Sequence, residues 1–413
     1  MEHVPGVETN QEERYHLVMN HFLIFGTHPF LSLAEAKAVI GGRRPDVADG
    51  MAVFDMEQWD GGRLQDVLAG TVKLGDVLWE GDVKDCSAEV LAKIVEEHPR
   101  AKKVEFGLTV FGASSAQKER MKKLPLSLKR VLQEQGRSVR WVTGEKGEVT
   151  PAAVAKAGLT TAGYDFCIGI FGARAVVGLT TFVQDADAWS LRDFGRPFRD
   201  EVVGMLPPKL ARMMVNLSGV ASSKHQVASI LDPFCGGGTV LMEADHLGIK
   251  ELIGSDIDQT QIDGARKNVQ WLKDKALWKG KEPTWMVRKA EEIDQHMKQP
   301  VSAVVTEGYL GKPLTGHETL KTLTDQKNEI ENLWRSALRA LEKILRPGGL
   351  VVCVWPVWVS SHGTVAVDIS KDLSRLGYKK IDPLAGWTDK PVTLTYARPD
   401  QRVKRNIMVL EKI

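Results

Sequence analysis

Residues Ser229 to Gly248, SILDPFCGGGTVLMEADHLG, place an aspartate at the end of an apolar run with three consecutive glycines behind it. The pattern predicts a strand ending at Asp232, a turn through Gly236, Gly237 and Gly238, and a helix starting near Thr239. Positions without Cβ atoms let a ligand approach the main chain, and the amides of a helix N-terminus offer it hydrogen bonds. Asp256 follows Gly236 by 20 residues at the end of the next apolar run. A carboxylate at that place can accept both hydroxyls of a ribose. The turn is neither G-x-G-x-x-G nor a Gly-Lys-Ser/Thr loop, and no lysine stands ready for a triphosphate. The ligand these residues call for is an adenosine carrying a zwitterionic tail.

The elements that must hold such a turn alternate from about Leu210 onward. Strands are predicted at Ser229 to Asp232, Glu251 to Asp256, Thr284 to Arg288, Val301 to Thr306 and Gly349 to Trp355, with a helix through Leu247 and another from Gln259 to about Lys275. Ile330, Leu333, Trp334, Ala337, Leu338, Leu341, Ile344 and Leu345 recur at helical spacing, and LRPGG ends that helix. Apolar runs separated by amphipathic helices indicate a parallel, doubly wound sheet. Upstream, Tyr15 to Gly41 reads as a strand, a Pro-containing turn and a helix, with Ser32 as N-cap and Glu35 three residues on. Strands at Ala52 to Asp55 and Thr71 to Asp82 make a small α+β unit, and paired strands follow within Tyr164 to Val183.

The 413 residues carry 55 Lys plus Arg against 53 Asp plus Glu, a balance that excludes a polycation or an acidic disordered tail as the whole protein. The balance is uneven along the chain. Residues 1–100 stand at −9 and residues 101–150 at +6. Lys122, Lys123, Lys129, Arg130 and Arg140 lie in the basic stretch, which is either a solvated face or an electrostatic footprint for phosphates. The four cysteines, Cys86, Cys167, Cys235 and Cys353, are dozens of residues apart and form no zinc-type cluster, which points to a reducing, cytoplasmic setting with no metal site. The longest apolar run, Leu350 to Val359, has ten residues and a proline, too short for a bilayer, so no membrane partner is expected.

DPFCGGGT, Asp232 to Thr239, resembles the first motif of S-adenosylmethionine-dependent amino-methyltransferases, usually DPFCGSGT. HFLIFGTHPFLSLAEAKAVI, VEFGLTVFG, RDFGRPFRDEVVGMLPPKLARMMVNLSG and YARPDQRVKRNIMVLEK resemble, in order, blocks of the archaeal and eukaryotic tRNA guanine-N2 methyltransferases. The resemblance implies an α/β chain whose Rossmann-like methyltransferase domain, with a mostly parallel seven-stranded sheet, follows an α+β ferredoxin-like/THUMP module. Its divisions would be a disordered tail over 1–13, a ferredoxin-like domain over 14–95, a THUMP RNA-binding domain over 96–183, a linker over 184–210 and the methyltransferase domain over 211–413. By resemblance, Asp232, Gly236 and Gly238 hold the methionine portion of the cofactor, with Phe234, Cys235 and Thr239 in the same turn. Asp256 holds its ribose, Ile257 lies beside the adenine, Glu291 or Glu292 contacts the adenine amino group, and Pro208, Lys209 and Leu210 cover the site.

The same family grips the target amine with an Asp/Asn-Pro-Pro-aromatic motif after its fourth strand. Here the segment is VVTEGYLGKP, so Glu307 takes the acidic place, Gly308 replaces the first proline and frees the backbone, and Tyr309 is the aromatic one residue early. The implied reaction is methyl transfer to the N2 amine of a guanosine, at position ten, in tRNA, with the basic stretch on tRNA phosphates and any activating protein unspecified. Two alternatives stay open: an adenine-N6 or cytosine-N4 enzyme on DNA or another RNA, and a catalytically silent tRNA-binding protein. Cys235 sits in the cofactor turn rather than over a base, which argues against a thiolate nucleophile. Trp355 and Trp358 are read as packing residues. Lys312 to Lys327, with His317, is a candidate for ordering around the substrate.

Overall fold

The computed structural model describes residues 20–144, 149–200, 205–219, 229–297, 299–399 and 401–413. The tail expected over 1–13 lies outside the described residues. Two sheets organise the chain. The first contains β1 (Asn20–Phe25), β2 (Asp46–Ala48), β3 (Met51–Asp55), β4 (Thr71–Asp82), β5 (Lys103–Phe111), β6 (Ser138–Trp141), β7 (Tyr164–Phe171) and β8 (Arg174–Val183), in the order β2-β3-β1-β4-β8-β7-β5-β6. Pairing of β4 with β8 carries the sheet without a break across residue 95. The basic stretch occupies the far edge of this sheet, on β5, β6, the helices Ser115–Met121 and Leu124–Glu134 and the two residues between these helices.

The second sheet contains β9 (Ser229–Asp232), β10 (Glu251–Asp256), β11 (Thr284–Val287), β12 (Val301–Thr306), β13 (Leu345–Ser360), β14 (Gly363–Ala366), β15 (Tyr378–Ile381), β16 (Thr395–Tyr396) and β17 (Val403–Lys412). Seven of them follow the order β11-β10-β9-β12-β13-β17-β15, with β14 and β16 added at β13 and β17. β9 through β13 run parallel, and β17 is antiparallel to β13. This is the expected Rossmann-like α/β sheet. The order reverses between β9 and β12, and crevices at the carboxyl ends of strands beside such a reversal take ligands.

The helix Pro208–Leu217 joins the two halves and is buried along almost its whole length. Residue 210, set above as the end of a linker, lies within it. On one side Asn216 Nδ2 donates to Glu35 Oε1 at 2.7 Å and to the Val67 carbonyl. On the other side Arg212 donates through Nε to Glu243 Oε2 at 2.8 Å, while its Nη1 reaches the Asp66 carbonyl at 2.7 Å. One apolar core is continuous through this joint, from Leu23 and Leu33 through Leu210 and Met214 to Ile230 and Val305.

Glu35 therefore does not close a capping box. The helix begins at Pro29 with His28 as its cap, Ser32 Oγ donates to the His28 carbonyl, and Glu35 accepts from the Ala69 and Gly70 amides. The helix starts three residues before the expected cap because proline at the first helical position has no N–H to satisfy. Burial raises the Glu35 pKa from 4.5 to about 7 against the pull of those two amides. Replacing Glu35 by Ala strands three buried donors and should lower unfolding stability by about 3 kcal/mol or more, measured by urea denaturation.

Candidate functional site

A cavity of about 410 Å³ opens at the carboxyl ends of β9, β10 and β12. Asp232, Asp256 and Glu307, which end or directly follow these three strands, all line it. Phe234, Cys235, Gly236, Thr239, Ile257, Glu291 and Tyr309 line it as well, so the structure brings together most of the residues singled out from sequence. Glu292 is not among the lining residues. Gly238 sits behind the turn, at φ +82 and as the cap of the helix Thr239–His246, where a Cβ would stand 3.2 Å from that of Ala265. It shapes the loop rather than the cavity wall.

Pro208, Lys209 and Leu210 do not reach the cavity. Pro208 is buried at the start of its helix, and Lys209 lies over the Trp189 ring and donates to Gln184. The residues just before them, Met205 and Leu206, supply the cavity wall instead. That displacement follows from the helix beginning at Pro208, which turns its first residues into the joint between the two halves.

Each carboxylate is held differently. Asp232 is fully buried at the cavity floor and accepts from the Phe234 amide at 3.2 Å. Burial, together with the charges of Asp256 and Glu307, pushes its pKa from 3.8 up to about 7. Asp256 accepts from the Gly236 amide at 2.9 Å and from the Asp258 amide at 3.0 Å, which ties the second strand to the glycine turn. Its pKa is also raised by burial, against those hydrogen bonds. Glu307 faces a cation that sequence reasoning missed: Arg405 Nε, on β17, donates to Glu307 Oε1 at 2.5 Å. The two lie 98 residues apart, and only the antiparallel return of β17 brings them together.

Gly308 is not a loosened proline position. Its φ is +73, which proline cannot adopt, and a Cβ there would stand 2.5 Å from the Trp334 ring. Trp334 in turn packs against Phe234 at 5.7 Å between ring centroids, so the glycine turn and the Glu307 loop share one buried aromatic contact. Tyr309 is 37% exposed, and Ile257 is 65% exposed, each presenting apolar surface at the cavity. Cys235 is buried with its thiol pKa pushed well up by burial, unsuited to nucleophilic work. Arg196, also missed, donates to Thr239 Oγ1 at 2.6 Å and braces the helix start.

The segment expected to order around a substrate is already ordered in part and helical in part. The helix Leu320–Ile344 begins inside it, capped by Thr319. The remaining loop is pinned by Trp358 Nε1 donating to the Leu310 carbonyl, by Lys312 N–H donating to Gln326, and by Ser361 N–H donating to the Gly316 carbonyl. Trp355 and Trp358 are buried, as expected of packing residues. Of the basic residues, Lys122 pairs with Glu119 and Arg140 with Glu105 at the surface, and Lys123 and Arg130 are exposed.

Comparison with known proteins finds likenesses over the segment that builds this site. Residues 196–357 match the family described as UPF0020: RMKL-like, methyltransferase domain. A tRNA (guanine(10)-N2)-dimethyltransferase of Methanothermobacter thermautotrophicus is 32% identical over 162 residues, 39% of this chain and 42% of the relative. One of Methanocaldococcus jannaschii is 34% identical over 186 residues, 43% of this chain and 47% of the relative. The matched stretches thus span less than half the length of these curated relatives. Among solved structures, TrmN from Thermus thermophilus aligns over 96% of this chain and 100% of its own, with a TM-score of 0.52 and 17% identity, a likeness of fold alone. Among the described residues, no helix is long and apolar enough to cross a membrane.

Replacing Gly308 by Ala forces either the left-handed backbone or the Trp334 ring to move. It should lower stability by about 1–3 kcal/mol and shift the tryptophan emission, both measurable during thermal unfolding.

Proposed function

We propose that this protein methylates the exocyclic N2 amine of a guanosine in tRNA, using S-adenosylmethionine as methyl donor. The observation that carries the reading is the convergence of Asp232, Asp256 and Glu307, with Tyr309, on one cavity at the strand-order reversal. A surplus of carboxylates suits a ligand bearing a sulfonium and an ammonium, and the apolar wall of Phe198, Leu206 and Ile257 suits a nucleoside. The residues fit that donor: Asp232 and the turn at Gly236 would hold its methionine part, Asp256 its ribose, and Ile257 and Glu291 its adenine. Bound there, it supplies an electrophilic methyl group on sulfur.

The chain's own work is to orient the amine and handle its protons. The lone pair of an exocyclic amine is delocalised into the base, so the nitrogen must be held in line, and its N–H acidity rises as it reacts. Glu307 accepts one N–H and takes the proton the nitrogen sheds, while Tyr309 packs on the base. The relatives' name points to the tenth nucleotide of tRNA as the target. The first sheet is read as the ferredoxin-like/THUMP module that grips the RNA, with Lys122, Lys123, Lys129, Arg130 and Arg140 on phosphates, which position a nucleic acid without reading its sequence. A tRNA substrate sets the site of action in the cytoplasm.

Incubating the purified protein with unmodified tRNA and S-adenosylmethionine, followed by nucleoside mass spectrometry, should yield N2-methylguanosine or its dimethyl form. Methylation of adenine or cytosine, or none at all, would overturn the reading.

The pH dependence of donor binding is a second check. A bound cation favours ionised Asp232, so binding should release a proton and tighten as pH rises through about 7. Calorimetry in buffers of different ionisation enthalpy should show that proton, and Asp232→Asn should abolish the pH dependence.

A further inference from the structure

Glu307 follows β12 directly and precedes Gly308, whose left-handed backbone starts a loop. A glutamate there has three side-chain torsions, and an untethered carboxylate would spread over several rotamers. Arg405 removes that freedom. It lies within β17, paired on one side with Pro356 of β13 and on the other with Tyr396 of β16, so its backbone is fixed from both flanks. Its side chain is 7% exposed and that of Glu307 16%. Nε donates to Glu307 Oε1 at 2.5 Å, and Nη1 donates to Gln401 Oε1 at 3.2 Å, which fixes the guanidinium plane. Glu307 Oε2 has no protein partner among the described residues.

We propose that Arg405 is a positioning residue for methyl transfer: by holding Oε1, it presents Oε2 of Glu307 to the N–H of the target amine. The proposal rests on Glu307 being the acceptor. It accounts for the length of this side chain, because an aspartate would stop one methylene short of Arg405 and lose the tether. It also gives Glu307, the third of the strand-end carboxylates, its own counter-charge. A guanidinium that bonds two oxygens through different nitrogens sets direction as well as charge, which an ammonium on a flexible stem does not do equally well.

A double-mutant cycle tests this. Glu307→Asp and Arg405→Gln should each lower kcat by about tenfold or more, with the KM for tRNA and the calorimetric affinity for S-adenosylhomocysteine changed by less than about threefold. Arg405→Gln made in the Glu307→Asp background should then cost less than about threefold further. Arg405→Lys should recover part of the loss. It also serves as the second variant should Arg405→Gln prove poorly folded by thermal unfolding.

Equal losses from Arg405→Gln in both backgrounds, or loss of S-adenosylhomocysteine binding, would mean a structural role and overturn the proposal. So would full turnover in Arg405→Gln while Glu307→Gln is inactive. Full turnover in Glu307→Gln would instead remove Glu307 as acceptor, and the two failures are thereby distinguishable.

Discussion

Three of the carboxylates that line the cavity, Asp232, Asp256 and Glu307, stand at the ends of adjacent strands, and like charges at close quarters in a partly buried site cannot all stay ionised without compensation. Much of the second sheet's detail answers that constraint. Asp232, deepest of the three, has one backbone amide and neighbouring negative charge, and its pKa rises to about 7. Asp256 is committed to two amides, which turn its charge into a clasp between β10 and the glycine turn. Glu307 meets a guanidinium carried in by the antiparallel strand β17. What remains uncompensated is at Asp232, where a cationic ligand would be most strongly favoured.

The site is also fixed relative to the first sheet. The helix Pro208–Leu217 reaches Glu35 and Val67 through Asn216, and Asp66 and Glu243 through Arg212. A second contact closes the same joint, where His28 Nε2 bonds the Ala397 main chain and its ring stacks on Tyr396. Since Tyr396 pairs with Arg405, the strand that holds Glu307 is itself braced against the N-terminal half. Buried polar ties of this kind are costly to break, and with the shared apolar core they join the two halves into one packed unit.

Local sequence carried the strand-turn-helix at Asp232 to Thr239 and the acid at Asp256 because these depend on short-range rules: an apolar run, a glycine turn and fixed spacing. It carried the positions of five strands of the second sheet for the same reason, while the seven-stranded count came from the resemblance. Glu307 and Tyr309 were legible through the resemblance, at the end of a predicted strand. What escaped were pairings across long sequence separations. Arg405 looked like one more charge in a closing strand, Arg196 like one of several arginines in a loop, and Glu35 like a capping residue until Ala69, Gly70 and Asn216 surrounded it. Gly308 was misjudged because its requirement comes from Trp334, 26 residues on and in another element.

The loop after Glu307 bears on how a base would reach the cavity. β13 continues past the end of β12 and folds back through β14, which makes a wall beside the loop. Trp358 from that wall, Gln326 from the following helix and the turn around Glu318 hold the loop at Leu310, Lys312 and Gly316. A loop tied at three points has little freedom to fold over an incoming nucleotide. On the proposed reaction the movement therefore falls to the RNA: its target base must leave the stack and enter a preformed opening, at a cost of a few kcal/mol that is least for an unpaired or weakly paired base. On the same proposal, selection of the nucleotide depends on where the first sheet would hold the tRNA, since the ties at the joint set the span from there to the cavity.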